Sequence, residues 1–330
     1  MPALAAETHD HKEVGMISGT VTRRRFLQYA GVASAAAAAS ACRGGATPAP
    51  TATPAPPTPT PAPTQAAEVP TATPAPTAAP AAKYKEAPML EELVKAGKLP
   101  PVEERLPKEP MVLSVLEEIG QYGGTWDTAV TGMADMRGAT SYMLETWVRW
   151  NPDCSEWEPS VAKKVEVSED GTEWTFYMRE GMKWSDGEPF TADDIMFWYE
   201  DVILNDELTP SKPSWMKTGG ELGVVEKVDD YTVKFKFSKP HGMFPLLLAF
   251  VWGANGGIGY PAHYLKQFHP KYVKKEDLDQ MVKDAGVENW TQLFAKKVER
   301  RENPDIPSIT AWKLIELGPP FIWERNSYFY

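Results

Sequence analysis

Cysteine is nearly absent from this chain of 330 residues, which holds only Cys42 and Cys154. If Cys42 is consumed in leader processing, Cys154 stands alone and no internal disulfide can form. Basic charge is also short. Lys and Arg number 34 against 45 Asp and Glu, a formal net charge of −11. No Lys/Arg footprint of the kind that phosphate backbones require is present, so nucleic acid is excluded as a partner. No apolar run reaches the roughly 20 residues of a membrane-spanning helix. The motifs G-x-S-x-G, H-E-x-x-H and C-x-x-C do not occur, and the glycine-rich stretch Gly253–Gly259 lacks the Lys-Ser/Thr of a phosphate loop. His241, His263 and His269 have no metal-ligand partners at useful spacing. No cofactor, metal site or catalytic group is therefore expected. The acid pairs Asp193-Asp194 and Asp229-Asp230 read as a helix start and a turn.

What is present begins with an export signal. Thr22-Arg23-Arg24-Arg25-Phe26-Leu27 fits the twin-arginine pattern, with Arg23 and Arg24 as its core, and an Ala-rich run follows to Ala41. Ala39-Ser40-Ala41-Cys42 resembles a lipoprotein box with Ala39 where Leu is common, which would place a lipid on Cys42. The same Ala-x-Ala also suits ordinary signal peptidase, and residues 1–42 are the leader in either case. Residues 43–82 are almost wholly Pro, Thr and Ala, with Glu68 as the only acidic residue. Such a segment cannot bury a core and reads as a polyproline-like tether. At roughly 3.1 Å per residue it reaches on the order of 100 Å.

The body is patterned for hairpins. Asp170-Gly171 separates two alternating runs that set Val165 and Val167 against Trp174, Phe176 and Met178. A further turn closes at Asp186-Gly187. Thr191 then caps a helix, with Asp194 completing a capping box ahead of Ile195, Met196 and Phe197. A second hairpin turns at Asp229-Asp230, with Val233, Phe235 and Phe237 on one face and Lys234 and Lys236 on the other. Met89, Leu90, Leu93 and Val94 have helical spacing that stops at Gly97. Gly123-Gly124-Thr125-Trp126 opens an expected strand, and a helix is expected around 141–147. An apolar helix is expected over 241–250 with Pro245 near its start, and another from Pro261 through Phe268.

The succession hairpin, Trp184-Ser185-Asp186-Gly187 turn, Pro189-Phe190-Thr191-Ala192-Asp193-Asp194 cap and helix resembles the peptide-class (family 5) solute-binding proteins of ABC importers. Val148-Arg149-Trp150-Asn151-Pro152-Asp153, Pro261-Ala262-His263-Tyr264-Leu265 and Glu324-Arg325-Asn326-Ser327-Tyr328 extend the likeness, the last with Ser327 in place of the usual Pro. The resemblance implies a mixed α/β fold of the periplasmic-binding-protein type, class II. Residues 83–144 and 241–330 would form the first lobe, and 145–240 a small β-rich domain. It also implies that the second large lobe lies beyond Tyr330, so that this chain alone binds peptides weakly. The implied function is capture of peptides or related solutes, without catalysis, for delivery to a membrane permease by an exported, surface-anchored monomer. Nickel chelates, oligosaccharides and opines remain open as cargo, and a secreted hydrolase or a nonfunctional fragment as rival readings. Loops that follow strand ends place ligand contacts in open α/β folds. The cleft candidates are accordingly Met133, Asp135, Met136 and Arg137, with Trp252, Gly253, Asn255 and Tyr260 from the return segment.

Overall fold

The computed structural model describes residues 84–115, 117–132, 135, 144–250 and 256–330. The leader, the tether, Cys42, Arg23 and Arg24 lie outside these residues. The elements in chain order are α1 (Glu91–Lys95), α2 (Val102–Arg105), β1 (Val148–Trp150), β2 (Trp157–Pro159), β3 (Ala162–Val167) and β4 (Glu173–Met178). Then come α3 (Ala192–Phe197), β5 (Lys217–Thr218), β6 (Glu221–Leu222), β7 (Val224–Asp229), β8 (Thr232–Lys236) and α4 (Phe244–Leu248). The described chain closes with α5 (Ala262–Leu265), α6 (Lys275–Asp284), α7 (Trp290–Val298), β9 (Trp312–Glu316) and β10 (Ile322–Arg325).

A four-stranded antiparallel sheet in the order β3-β4-β8-β7 forms the centre. Its register follows from the alternation in the sequence. Val165 pairs with Phe176 and Val167 with Trp174, while Trp174 and Phe176 pair on their other side with Phe235 and Val233. A one-residue slip would turn every one of these rings to water, which is why the register is firmly specified. Phe176 and Phe235 meet edge to face with centroids 5.5 Å apart, and Trp147 lies 5.1 Å from Phe176. Phe244 of α4 closes the cluster at 5.1 Å from Phe235. Such aromatic pairs add about 0.5–1.5 kcal/mol each beyond the area they bury. The opposite face carries Glu173–Lys234 and Glu226–Lys236 ion pairs at 2.9 and 2.7 Å, exposed enough to contribute at most about 1 kcal/mol each.

The turns are made by the expected residues. Gly171 sits at φ +71°, and the Asp170 carboxylate accepts from the Thr172 amide at 3.1 Å. Thr191 and Asp194 form the capping box of α3, a type of contact worth about 1 kcal/mol. Beyond Phe197 the helix widens into a π-type segment, Trp198–Ile203, whose Asp201 carboxylate accepts from Lys271 and Tyr272. Gly97 ends the α1 region at φ +67°. Pro245 falls in the first turn of α4, where no amide donor is needed, so it starts the helix instead of breaking it.

Three expectations fail. Residues 121–130 form no strand and are almost wholly exposed, Trp126 by 64%. A strand exists only with a ladder partner, and no described strand pairs with this segment. Leu144–Trp147 are not helical, the first three residues of that expected helix lying outside the described residues, and α4 ends at Leu248, short of Phe250.

Two long-range ties complete the frame. Arg105 of α2, 2% exposed, donates to the carbonyls of Pro100 and Ser327 and to the Glu86 carboxylate. Gly256 and Gly257 lie against the rings of Trp147 and Trp198. A Cβ there would stand 2.4 Å from the Trp147 indole nitrogen and 2.8 Å from the Trp198 ring, at φ +57° and +90°. Gly256 and Gly257 are thus placed where only glycine packs without a clash. Among the described residues no helix is long and apolar enough to cross a membrane.

Candidate functional site

The Trp-Ser-Asp-Gly turn is a structural junction. Trp184 is fully buried and its indole N–H donates to Asp194 Oδ2 at 3.3 Å. The same carboxylate accepts from the Thr191 amide at 3.0 Å and, through Oδ1, from the Ala262 amide at 2.9 Å. Ser185 exchanges hydrogen bonds with Ser308 at 2.9 and 3.1 Å. Asp186 Oδ2 meets His263 Nε2 at 2.8 Å. Burial works against the imidazolium, yet the bond and charge of Asp186 more than offset it and leave the His263 pKa raised. These groups satisfy one another, which leaves this junction no open chemistry. Among the described residues no group of three or more His, Cys, Asp or Glu could hold a metal ion.

Open space lies elsewhere, in two concavities that share Leu144. The larger concavity, ≈ 410 Å³, is bounded by Met111, Leu144, Glu145, Trp150, Ala249 and Tyr330. Its volume falls in the range of small-molecule sites. Glu145 accepts from the Tyr330 hydroxyl at 3.0 Å and from Ser160 at 3.5 Å. Burial drives its carboxyl from 4.5 to about 7, the two hydroxyls and the charge of Arg149 opposing only in part. Arg149 itself is engaged by Glu158 at 2.8 Å.

The smaller cavity, ≈ 20 Å³, shares Leu144 and is bounded also by Arg300, Asn303, Trp312, Lys313 and Trp323. It suits one group slightly larger than a water molecule. Its floor is fixed by the Asn303 amide, which donates to Lys297 O at 2.7 Å and to the Tyr264 hydroxyl at 3.0 Å.

The positions of the expected cleft residues divide accordingly. Met133, Met136, Arg137, Trp252, Gly253 and Asn255 lie outside the described residues. Asp135 is exposed and accepts from the Thr131 amide at 3.1 Å and from the Thr131 hydroxyl, which hold its pKa down. It lines neither concavity. Tyr260 is half-buried; burial raises its hydroxyl pKa while the charge of Arg300 opposes the rise. Leu144, from the expected helix after the first loop, and Ala249, ahead of the second loop, both line the larger concavity. Glu145, Tyr330 and Arg300 were not singled out from the sequence.

The family model for bacterial extracellular solute-binding proteins, family 5 Middle, matches residues 156–298. The periplasmic alpha-galactoside-binding protein of Rhizobium meliloti (strain 1021) is 36% identical over 271 residues, covering 75% of this chain and 36% of that protein. Oligopeptide-binding protein OppA of Bacillus subtilis (strain 168) is 32% identical over 149 residues, 37% of this chain and 27% of the relative. Among solved structures, an oligopeptide-binding protein OppA superposes with a TM-score of 0.70 at 44% identity, covering 76% of this chain and 38% of that one. The periplasmic binding protein MelB from Agrobacterium fabrum C58, in complex with stachyose, superposes with a TM-score of 0.53 at 29% identity, covering 73% and 37%. The chain thus spans little more than a third of the length of the longest-matching relatives.

Proposed function

We propose that the chain, as a member of the family 5 bacterial extracellular solute-binding proteins, acts in the receptor part of an ABC importer, capturing peptides or related solutes for a membrane permease. The observation that carries this reading is the ≈ 410 Å³ concavity that Leu144 and Ala249 both line. Residues 145–240 serve as the small β-rich domain, with 83–144 and 241–330 as parts of the first lobe. A receptor of this type works by differential affinity: the solute binds the closed arrangement better and shifts the open–closed balance toward it. The family is one of solute-binding proteins, and the cargo leaves such a site chemically unchanged.

A second reading, oligosaccharide cargo, is favoured by the relative named for alpha-galactosides and by the structure holding stachyose. Titration of the mature chain with an oligopeptide and with stachyose, followed by thermal unfolding and by mass spectrometry of the solute, separates the readings. Peptide capture is expected to raise the melting temperature saturably at millimolar solute, the peptide remaining intact. A stabilising effect of stachyose alone would transfer the function to oligosaccharides. Turnover of either solute, or no shift with both, would end the receptor reading.

Export fits the periplasmic relatives. We further infer that Cys42 carries a lipid, because the Pro/Thr/Ala tether that follows it makes physical sense behind an anchor. The mature N-terminal peptide should then weigh more than its sequence by a diacylglyceryl group. An unmodified Cys42 peptide would refute the anchor.

A further inference from the structure

The smaller cavity has an unusual charge balance for a chain of net charge −11. Two cations, Arg300 and Lys313, line it, and among the described residues no carboxylate does. Glu299, the acid adjoining Arg300 in sequence, is occupied by Arg301, which donates to one carboxylate oxygen at 2.7 Å and to the other at 2.5 Å. Glu324 is the cross-strand register partner of Lys313, yet no ion pair joins them. Among the described residues neither Arg300 nor Lys313 has an ion-pair partner. Arg300 is half-buried, and loss of water around its guanidinium lowers its pKa, the charge of Glu299 opposing only in part, so the cation stands there at a cost. An unpaired cation in a confined, partly dry recess is stabilised by an incoming anion. The rings of Trp312 and Trp323 flank the recess, and Asn303 is locked in place beside it.

We propose that the recess between Arg300, Lys313, Trp312 and Trp323 is a carboxylate subsite, so that the solute carries a carboxylate held by the Arg300 fork. This deepens the receptor reading and rests on it for its biological meaning. A guanidinium presents paired donors that match both oxygens of a carboxylate, which an ammonium cannot do. Its position is apt, for Leu144 is shared with the larger concavity, where the remainder of a solute would lie.

The test uses the full chain with acetate and its neutral isostere acetamide. Resonances of the Arg300 Nε–H and of the Trp312 and Trp323 indoles are followed by NMR. Acetate is expected to shift all three saturably, and acetamide to leave them in place. Arg300→Gln should weaken acetate binding at least about tenfold, while Arg300→Lys keeps part of it. Equal shifts with acetate and acetamide, no saturable shift with acetate, or a Gln variant that binds as well as the parent would each overturn the subsite. The acetate–acetamide contrast in the parent chain needs no variant, so a misfolded variant leaves the test intact. Acetate selectivity without any response to a peptide or to stachyose would sink the receptor reading and leave the subsite standing; the reverse pattern would do the opposite. Trialanine against its amide, and galacturonate against galactose, distinguish a peptide terminus from an acidic sugar as the source of the carboxylate.

Discussion

Replacing Asp194 by alanine is expected to lower the unfolding free energy by about 3–5 kcal/mol, enough to unfold a marginal domain. The reason is the number of donors that depend on this one carboxylate. Thr191 N–H, Ala262 N–H and the Trp184 indole N–H all point at it, and the side chains of Asp194 and Trp184 are buried. Each donor left without an acceptor costs about 1–3 kcal/mol. The offset is the release of a desolvated charge: burial outweighs the three hydrogen bonds and leaves the Asp194 pKa raised. Asp194→Asn keeps an acceptor for the helix start and should lose only about 1–2 kcal/mol. Urea unfolding should show the midpoint fall with the slope unchanged. A folded alanine variant that loses less than about 1 kcal/mol would show that the junction has another source of strength.

The second large effect concerns pH. The Glu145 carboxyl moves from 4.5 to about 7 on folding, so the native state holds this proton more tightly than the unfolded chain does. A carboxyl shifted in that direction favours the fold most below pH 4.5, and its contribution fades as pH rises from 4.5 to 7. The span of the shift corresponds to roughly 3 kcal/mol. Glu145→Gln keeps an acceptor for Tyr330 and removes the titration. The variant should match the parent near pH 4 and exceed its stability at pH 8 by about 2–3 kcal/mol. Denaturant titrations of both proteins at pH 4, 6 and 8 measure the difference directly. Two parallel pH profiles would mean that water or a counter-charge reaches Glu145 in the native state.

Local chemistry was legible wherever the deciding residues lie close together in the chain. Asp170-Gly171 specifies its turn, Thr191 and Asp194 specify their cap, and the alternation of Val233, Phe235 and Phe237 specifies which face of β8 is buried. What distance in sequence conceals is different in kind. Nothing near Asp194 announces that its other oxygen serves Ala262, 68 residues onward. Arg300 sits in the run Glu299-Arg300-Arg301-Glu302, which reads as a solvated surface until the structure gives Glu299 to Arg301 and leaves Arg300 beside a cavity. The expected strand at Thr125–Val130 had the right residues, but no strand among the described residues forms a ladder with it, and a strand is a property of a pair. Of the expected cleft residues, Tyr260 is half-buried and feels the charge of Arg300, whereas Asp135 faces solvent.

The clasp of Arg105 on the Ser327 carbonyl joins positions 222 residues apart. Synthesis runs from the first to the second, so this clasp cannot close until β10 has emerged, although Lys183 already reaches the Glu104 carbonyl at 2.8 Å. Loop-closure entropy makes such a junction late to form, and its solvent-exposed surroundings make it early to open. The segment from Tyr84 to Arg105 therefore behaves as a latch: in hydrogen exchange its amides should let go well before those of the central sheet, and in a growing chain its grip on Ser327 would be made after its grip on Lys183.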